Sequence, residues 1–468
     1  MKRAVSVLLS AALMLSVLTG CGKSGSVSKK NIPAEETAES KKIALSDSGI
    51  TVDGAAISDD ETAAVYAAQD IVYYEEGQGV AYGAGTDADA HSQEEADAHT
   101  VVHITQPGTY TLSGTLSAGQ IAVDLGDGAE EDPEAVVTIV LDGVDITCTV
   151  APAIIFYRVY ECGSADMETA TQTVDTSAAG ANVVIADGAE NRVTGSHVAK
   201  IYKPESVTLN ADGTAVEEAK KLHKYDGALY SKMSMNVSGG EAGTGTLEIV
   251  ADNEGLDSEL HLTINSGNIH ILAGNDGINT NEDGVSVTTI NGGTLRIEVT
   301  GETGEGDGID SNGWLVINGG MVIAAACSDS ADSGLDSDNG IYINGGIVIA
   351  SGNMYDAVDG GDQTYAVFQF AQKQSGGQTY TLKNAAGETI LEMTPENAFQ
   401  YLVVSAPGLA EGEYTLWCGD TQLGGSTGSV GGPSGAMDGG NSADAAECSD
   451  TFTLQSGANQ FTNVGALT

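Results

Sequence analysis

The chain has 468 residues, enough for one long repetitive fold with caps. It carries 66 acidic against 18 basic residues, a formal net charge of −48. So acidic a surface excludes nucleic acid and bare anionic membrane as direct partners.

Met1-Lys2-Arg3 precedes an apolar stretch, Ala4 to Val17, that is too short to span a bilayer. It ends in Leu18-Thr-Gly-Cys21, a small-residue cleavage site with cysteine at the first mature position. Residues 1–20 read as a secretory signal that resembles a bacterial lipobox. The expectation is a protein outside the cell, lipid-anchored to the cell membrane through Cys21. Residues 21–46 are polar and read as a flexible tether, and 47–97 as an acidic N-terminal extension. After Cys21 five cysteines remain, at 148, 162, 327, 418 and 448. Cys148–Cys162 and Cys418–Cys448 are candidate bridges, and the odd number leaves a free thiol.

From 98 the pattern turns strand-like. Pro107 to Gly114 and Gly119 to Asp124 are expected to open a coil. Lys200 to Lys232 is the one basic stretch of the body, with Lys203, Lys220, Lys221, Lys224 and Lys232. Two phrases then recur. Ile-Asn-Ser-Gly stands at 264–267 and Ile-Asn-Gly-Gly at 290–293, 317–320 and 343–346, spaced by 26, 27 and 26 residues. Between them come Gly255-Leu-Asp-Ser, Gly277-Ile-Asn-Thr, Gly308-Ile-Asp-Ser and Gly334-Leu-Asp-Ser. Two phrases locked to one period mean stacked repeats.

Within a repeat, apolar residues alternate with others, the period of a strand. Leu295, Ile297 and Val299 share one face, aligned with Ile269, Ile271 and Ala273. Ile264, Ile290, Ile317 and Ile343 form another inward column. Short strands and tight Gly/Asn turns predict an all-β fold: a right-handed parallel β-helix, or solenoid, over 98–365. Beyond it, 366–468 is expected to form a small C-terminal β cap with a Gly/Ser-rich loop at 424–447. Asn265, Asn291, Asn318 and Asn344 would form a structural amide ladder.

The repeat also stacks acids. Asp257, Asn279, Asp310, Asp336 and Asp359 align in one column, with Glu254, Asp276, Asp307 and Asp356 beside it. Between 252 and 362 there are nineteen acidic residues and one basic residue, Arg296. Carboxylates stacked without cations repel one another, and a divalent cation relieves this. All-oxygen ligands favour calcium over zinc. The candidate metal ligands are Glu254, Asp257, Asp276, Asp283, Asp307, Asp310 and Asp336. The alternative reading of each acid is a solvated turn.

Asp226-Gly-Ala-Leu-Tyr-Ser-Lys232, Asn253 to Ile264, Gly306 to Gly313 and Ser333-Gly-Leu-Asp-Ser-Asp338 carry a further likeness. Over roughly 98–420 the chain resembles the carbohydrate-binding β-helix lipoproteins of clostridia and gut Firmicutes. That resemblance implies a shape like pectate lyases, calcium sites, and binding of cellulose and acidic sugars such as polygalacturonate, with no established catalysis. The expected protein is a non-catalytic monomer that binds polysaccharide. Lys232, His270, Arg296, Trp314 and Tyr342 are its candidate sugar contacts. A polysaccharide lyase is the first alternative. It would need a base of lowered pKa beside the metal. A structural adhesin without sugar specificity is the second. With only two tryptophans the chain lacks the aromatic row that suits flat cellulose.

Overall fold

The computed structural model describes residues 40–430 and 448–466. The chain divides into two units, Met1–Thr37 and Ala38–Thr468, and all described residues belong to the second. The signal segment 1–20, Cys21, the start of the tether and most of the Gly/Ser-rich loop therefore lie outside the described residues.

The described residues are all-β: the α-helix among them is the single turn Gln93–Asp97. The repeats contribute strands to three stacks that pair parallel, and the later repeats reach the first stack through single bridges at Ile309 and Leu335. The first stack runs Thr100–Ile104, Gly119–Asp124, Ile154–Arg158, Gly227–Ser231, Glu254–Ser258 and Ile278–Thr280. The second includes Met235–Gly239, His261–Ile264, Val287–Ile290, Trp314–Ile317 and Gly340–Ile343. The third includes Thr246–Ala251, Asn268–Ala273, Thr294–Val299, Met321–Ala325 and Ile347–Gly352.

The alternation explains this packing. Ile269, Leu295 and Val322 are in register and buried, as are Ile271, Ile297 and Ala324. Ile264, Ile290, Ile317 and Ile343 form the second inward row. No strand can bury this face alone, so stacking and folding are one event. The Gly pair makes the corner. Gly320 has φ +82°, and a Cβ there would lie 2.7 Å from the Gly293 carbonyl oxygen of the preceding repeat.

At the C-terminal end the direction reverses. Phe399–Ser405 pairs antiparallel with Ile347–Gly352 and with Tyr365–Gln374. Tyr380–Asn384, Thr389–Met393 and Gly412–Cys418 continue antiparallel. They enclose a second core around Phe368, Phe370, Phe399 and Phe452, which also takes in Ile349 and touches Ile323.

Three expectations need correction. Ser40–Leu45, read as tether, is a strand parallel to Gly108–Leu116, with Ile43 and Leu45 buried. Residues 424–427, read as loop, belong to the strand Thr421–Thr427. Neither candidate disulfide forms: all five described cysteines are free, with Cys148 buried and Cys448 exposed.

Candidate functional site

The first stack carries the acids. Tyr230 pairs with Asp257, and Asp257 with Asn279, in one row across successive repeats. Bridges from Ile278 to Ile309 and from Ile309 to Leu335 carry the row on to Asp310 and Asp336. Glu254, Asp276 and Asp307 stand three residues earlier in their repeats. The Asp276 carboxylate accepts the Asp307 backbone N–H at 2.7 Å, and the Asp307 carboxylate accepts that of Ser333 at 2.6 Å. Close glycine contact permits the stacking. A Cβ at Gly277 would lie 2.6 Å from the Gly308 carbonyl oxygen.

Glu254 and Asp257 are buried, and Asp276, Asp307, Asp310 and Asp336 are half-buried. Burial first, then the neighbouring carboxylates, raises every one of them. Glu254 is pushed up to about 7, with Asp226 adding to burial. Asp257 rises well above the carboxylate range through burial and Glu254. Asp276 reaches about 8 through burial and Glu254, and Asp307 about 10 through burial and Asp276. Asp310 reaches about 7 through burial and Asp276, and Asp336 about 6 through burial and Asp310.

With the carboxyls ionised, three buried oxygens in this row have no hydrogen-bond partner: Glu254 Oε2, Asp257 Oδ2 and Asn279 Oδ1; a protonated Asp257 would hydrogen-bond to Glu254. Their sister atoms are held. Asn279 Nδ2 donates to Glu254 Oε1 at 3.0 Å, and Asn281 Nδ2 donates to Asp257 Oδ1 at 2.8 Å. Among the described residues, no three His, Cys, Asp or Glu side chains are grouped as a metal cluster. The unpartnered set is two carboxylate oxygens and one amide oxygen, the hard donor type that calcium takes.

The basic stretch places one of its lysines beside the acids, a contact the sequence did not indicate. Lys224 Nζ lies 2.7 Å from Asp226 Oδ2. Burial opposes its charge, but Asp226 and then Glu254 outweigh it and hold the ammonium above its usual range. A second missed row is Ser231, Ser258, Thr280, Ser311 and Ser337, the last residue of each recurring phrase. It is buried, and it bonds across turns, as in Thr280 Oγ1 to Ser311 Oγ at 2.8 Å.

Other candidates lie elsewhere. Asp283 is exposed and accepts from Asn312 Nδ2 at 3.0 Å, outside the buried row. Asp359 is not in the column. Its strand, Val358–Gly360, pairs with Gly340–Ile343 in the second stack, and its carboxylate accepts the Ile341 N–H at 3.1 Å. The five proposed sugar contacts fall on three surfaces. Lys232 is exposed and lines a pocket of about 270 Å³ with Lys221, His223, Tyr225 and Tyr230. His270 and Arg296 are paired in register on the third stack, where Arg296 binds Glu396 in the loop between Thr389–Met393 and Phe399–Ser405. Trp314 and Tyr342 are on the second stack, and Tyr342 lines a separate groove.

A family described as carbohydrate-binding domain-containing protein matches residues 98–369. The chain belongs to this family. A carbohydrate-binding domain-containing protein of Acetivibrio thermocellus is 31% identical over 173 residues. The match takes in 37% of this chain and 45% of that relative, so the chain spans less than half of the relative's length. A solved structure, described as the polysaccharide lyase-like protein from C. thermocellum in a gadolinium derivative, is 22% identical with a TM-score of 0.37. It covers 66% of this chain and 93% of its own.

Proposed function

We propose that this protein is an exported, lipid-anchored, non-catalytic binder of polysaccharide that uses calcium on its acidic row to hold acidic sugars such as polygalacturonate. The fold behind this reading is a right-handed parallel β-helix, supported by three stacks of parallel strands visited once per repeat. The observation that carries the calcium reading is the trio of unpartnered buried oxygens on Glu254, Asp257 and Asn279. Bound calcium would neutralise the row and present a cationic centre to a uronate carboxylate. Asp276, Asp307, Asp310 and Asp336 extend the same acidic row toward half-buried positions. Lys232 stands at the pocket beside it as a direct contact.

The non-catalytic reading is supported by Lys224. Elimination from a uronate needs a base of lowered pKa near the metal. The lysine closest to the acids is instead held protonated by Asp226. Export and anchoring at Cys21 are supported by the sequence of residues 1–21.

The test is retention on polygalacturonate with and without chelator, with the supernatant followed for unsaturated uronates. Binding should need calcium and weaken with salt, and no unsaturated product should appear. Product formation lost in Lys232→Ala would turn the reading to a lyase. Indifference to chelator would remove calcium from it.

A further inference from the structure

The second stack bears a groove that the acidic-sugar reading leaves unused. Asn236, Thr263, Thr289, Val316 and Tyr342 stand in register on successive strands, one per repeat. Asn265, Asn291, Asn318 and Asn344 follow two residues on, each just past the end of a later strand. The strand residues and these corner amides form two rows that line one groove along the stack. Together with the segment 172–177 they line a groove of about 350 Å³.

Its chemistry contrasts with the rest of the molecule. In a chain of net charge −48, the lining holds a single carboxylate, Asp175. Asn291 Nδ2 donates to Asn265 Oδ1 at 3.0 Å, Asn318 Nδ2 to Asn291 Oδ1 at 2.9 Å, and Asn344 Nδ2 to Asn318 Oδ1 at 2.8 Å. Within the ladder, Asn291 and Asn318 each spend one N–H and one lone pair. The remaining N–H and lone pair are a donor and an acceptor repeated at every rung, and these amides are exposed. Sugar hydroxyls both donate and accept. Val316 gives the floor an apolar patch, and half-buried Tyr342 offers a ring on which a pyranose face can rest.

One end is closed. Thr176 Oγ1 donates to Asn236 Oδ1 at 2.8 Å and lies in hydrogen-bond contact with Thr263 Oγ1 at 2.7 Å, and its carbonyl accepts from Asn236 Nδ2 at 2.8 Å. These bonds seal the first two positions and leave Thr289, Val316 and Tyr342 as the open floor. Strands repeat every ~4.8 Å, close to the advance per sugar of an extended 1,4-linked pyranose chain. One sugar can therefore meet each open rung.

We propose that this groove binds the end of a neutral, extended, 1,4-linked glycan, about one sugar per rung, without calcium. The proposal rests on the carbohydrate-binding reading but not on its calcium-dependent part. The test is calorimetry of the full chain in chelator with cellopentaose, xylopentaose and mannopentaose, alongside polygalacturonate in calcium. At least one neutral pentasaccharide should bind. Its affinity should rise from two to three sugars and then level off, and it should fall at least tenfold in Tyr342→Ala and in Thr289→Arg. Thermal melts would show both variants folded, and binding of polygalacturonate in calcium should persist in Thr289→Arg. If no neutral oligosaccharide binds, or if both variants bind one as the parent does, the groove proposal fails. Polygalacturonate retention would then still stand or fall separately. Loss of both ligand classes in the parent protein would sink the carbohydrate reading itself.

Discussion

Asp257 and Asn279 face one another in register on adjacent repeats, and each keeps one buried oxygen with no hydrogen-bond partner. A buried polar atom left unpaired costs roughly 1–3 kcal/mol. The pair is therefore a local expense, and a ligand that fills it should reveal itself as stability.

The acid row fixes the sign of the pH dependence when calcium is withheld. Unfolded carboxyls titrate near 4, whereas the folded protein raises Asp336 to about 6, Glu254 and Asp310 to about 7 and Asp276 to about 8. The folded state thus holds these protons more tightly. The stability they confer is complete below the unfolded values and is lost as pH rises through the folded ones. Thermal midpoints in chelator should fall steadily from about pH 5 to about pH 9. With millimolar calcium the decline should flatten. A midpoint that climbs over that range in chelator would contradict the raised values.

Glu254→Gln should behave oppositely in the two conditions. It removes a buried charge but keeps the shape. In chelator above neutrality it should stabilise by about 3 kcal/mol, the energy of a shift from 4.5 to about 7. In calcium it should melt below the parent protein because a ligand is missing. Paired denaturant titrations at high pH would show the crossing, and a variant less stable in both conditions would refute it.

Ile317→Asp should disrupt the stack, because it places a carboxylate among inward residues with no partner. A loss above ~4 kcal/mol is expected, enough to abolish a cooperative melt. Asp283→Ala, at an exposed site, should change stability by less than ~0.5 kcal/mol. Denaturation of the two variants side by side checks which face is inward.

The junction with the C-terminal strands offers a third contrast. Asn397 Nδ2 donates to the Val299 and Ala326 carbonyls at 2.7 and 2.8 Å. Asn397→Ala would strip both and should cost about 1–3 kcal/mol. Arg296→Ala breaks a half-exposed ion pair with Glu396 and should cost less than ~1 kcal/mol. Equal losses in urea titrations would mean that the ion pair matters more than its exposure suggests.

Much of the register was legible because two phrases were locked to one period. That alone aligned Asp257 with Asn279. Asp359 was misplaced because the phrase decays there to Ala357-Val-Asp, and Val358 pairs with Ile341 in another stack. The Lys224–Asp226 contact depends on burial that spacing does not encode. Ser40–Leu45 escaped notice because it opens on Ser40-Lys41-Lys42 and only Ile43 and Leu45 turn inward. The seat of the C-terminal strands did leave a signal. The outward positions Glu248, His270 and Arg296 give way to Ile323 and Ile349, so the last repeats are apolar on both faces.

Most later repeats deliver an acid to one stack and an asparagine to another from the same short stretch of chain, as with Asp310 and Asn318. Gaining or losing a repeat would therefore lengthen or shorten the charged row and the amide ladder together. A change in copy number could not tune one surface alone. Separating them requires substitution within a repeat, as the repeat that holds Asn279 in place of an acid already shows.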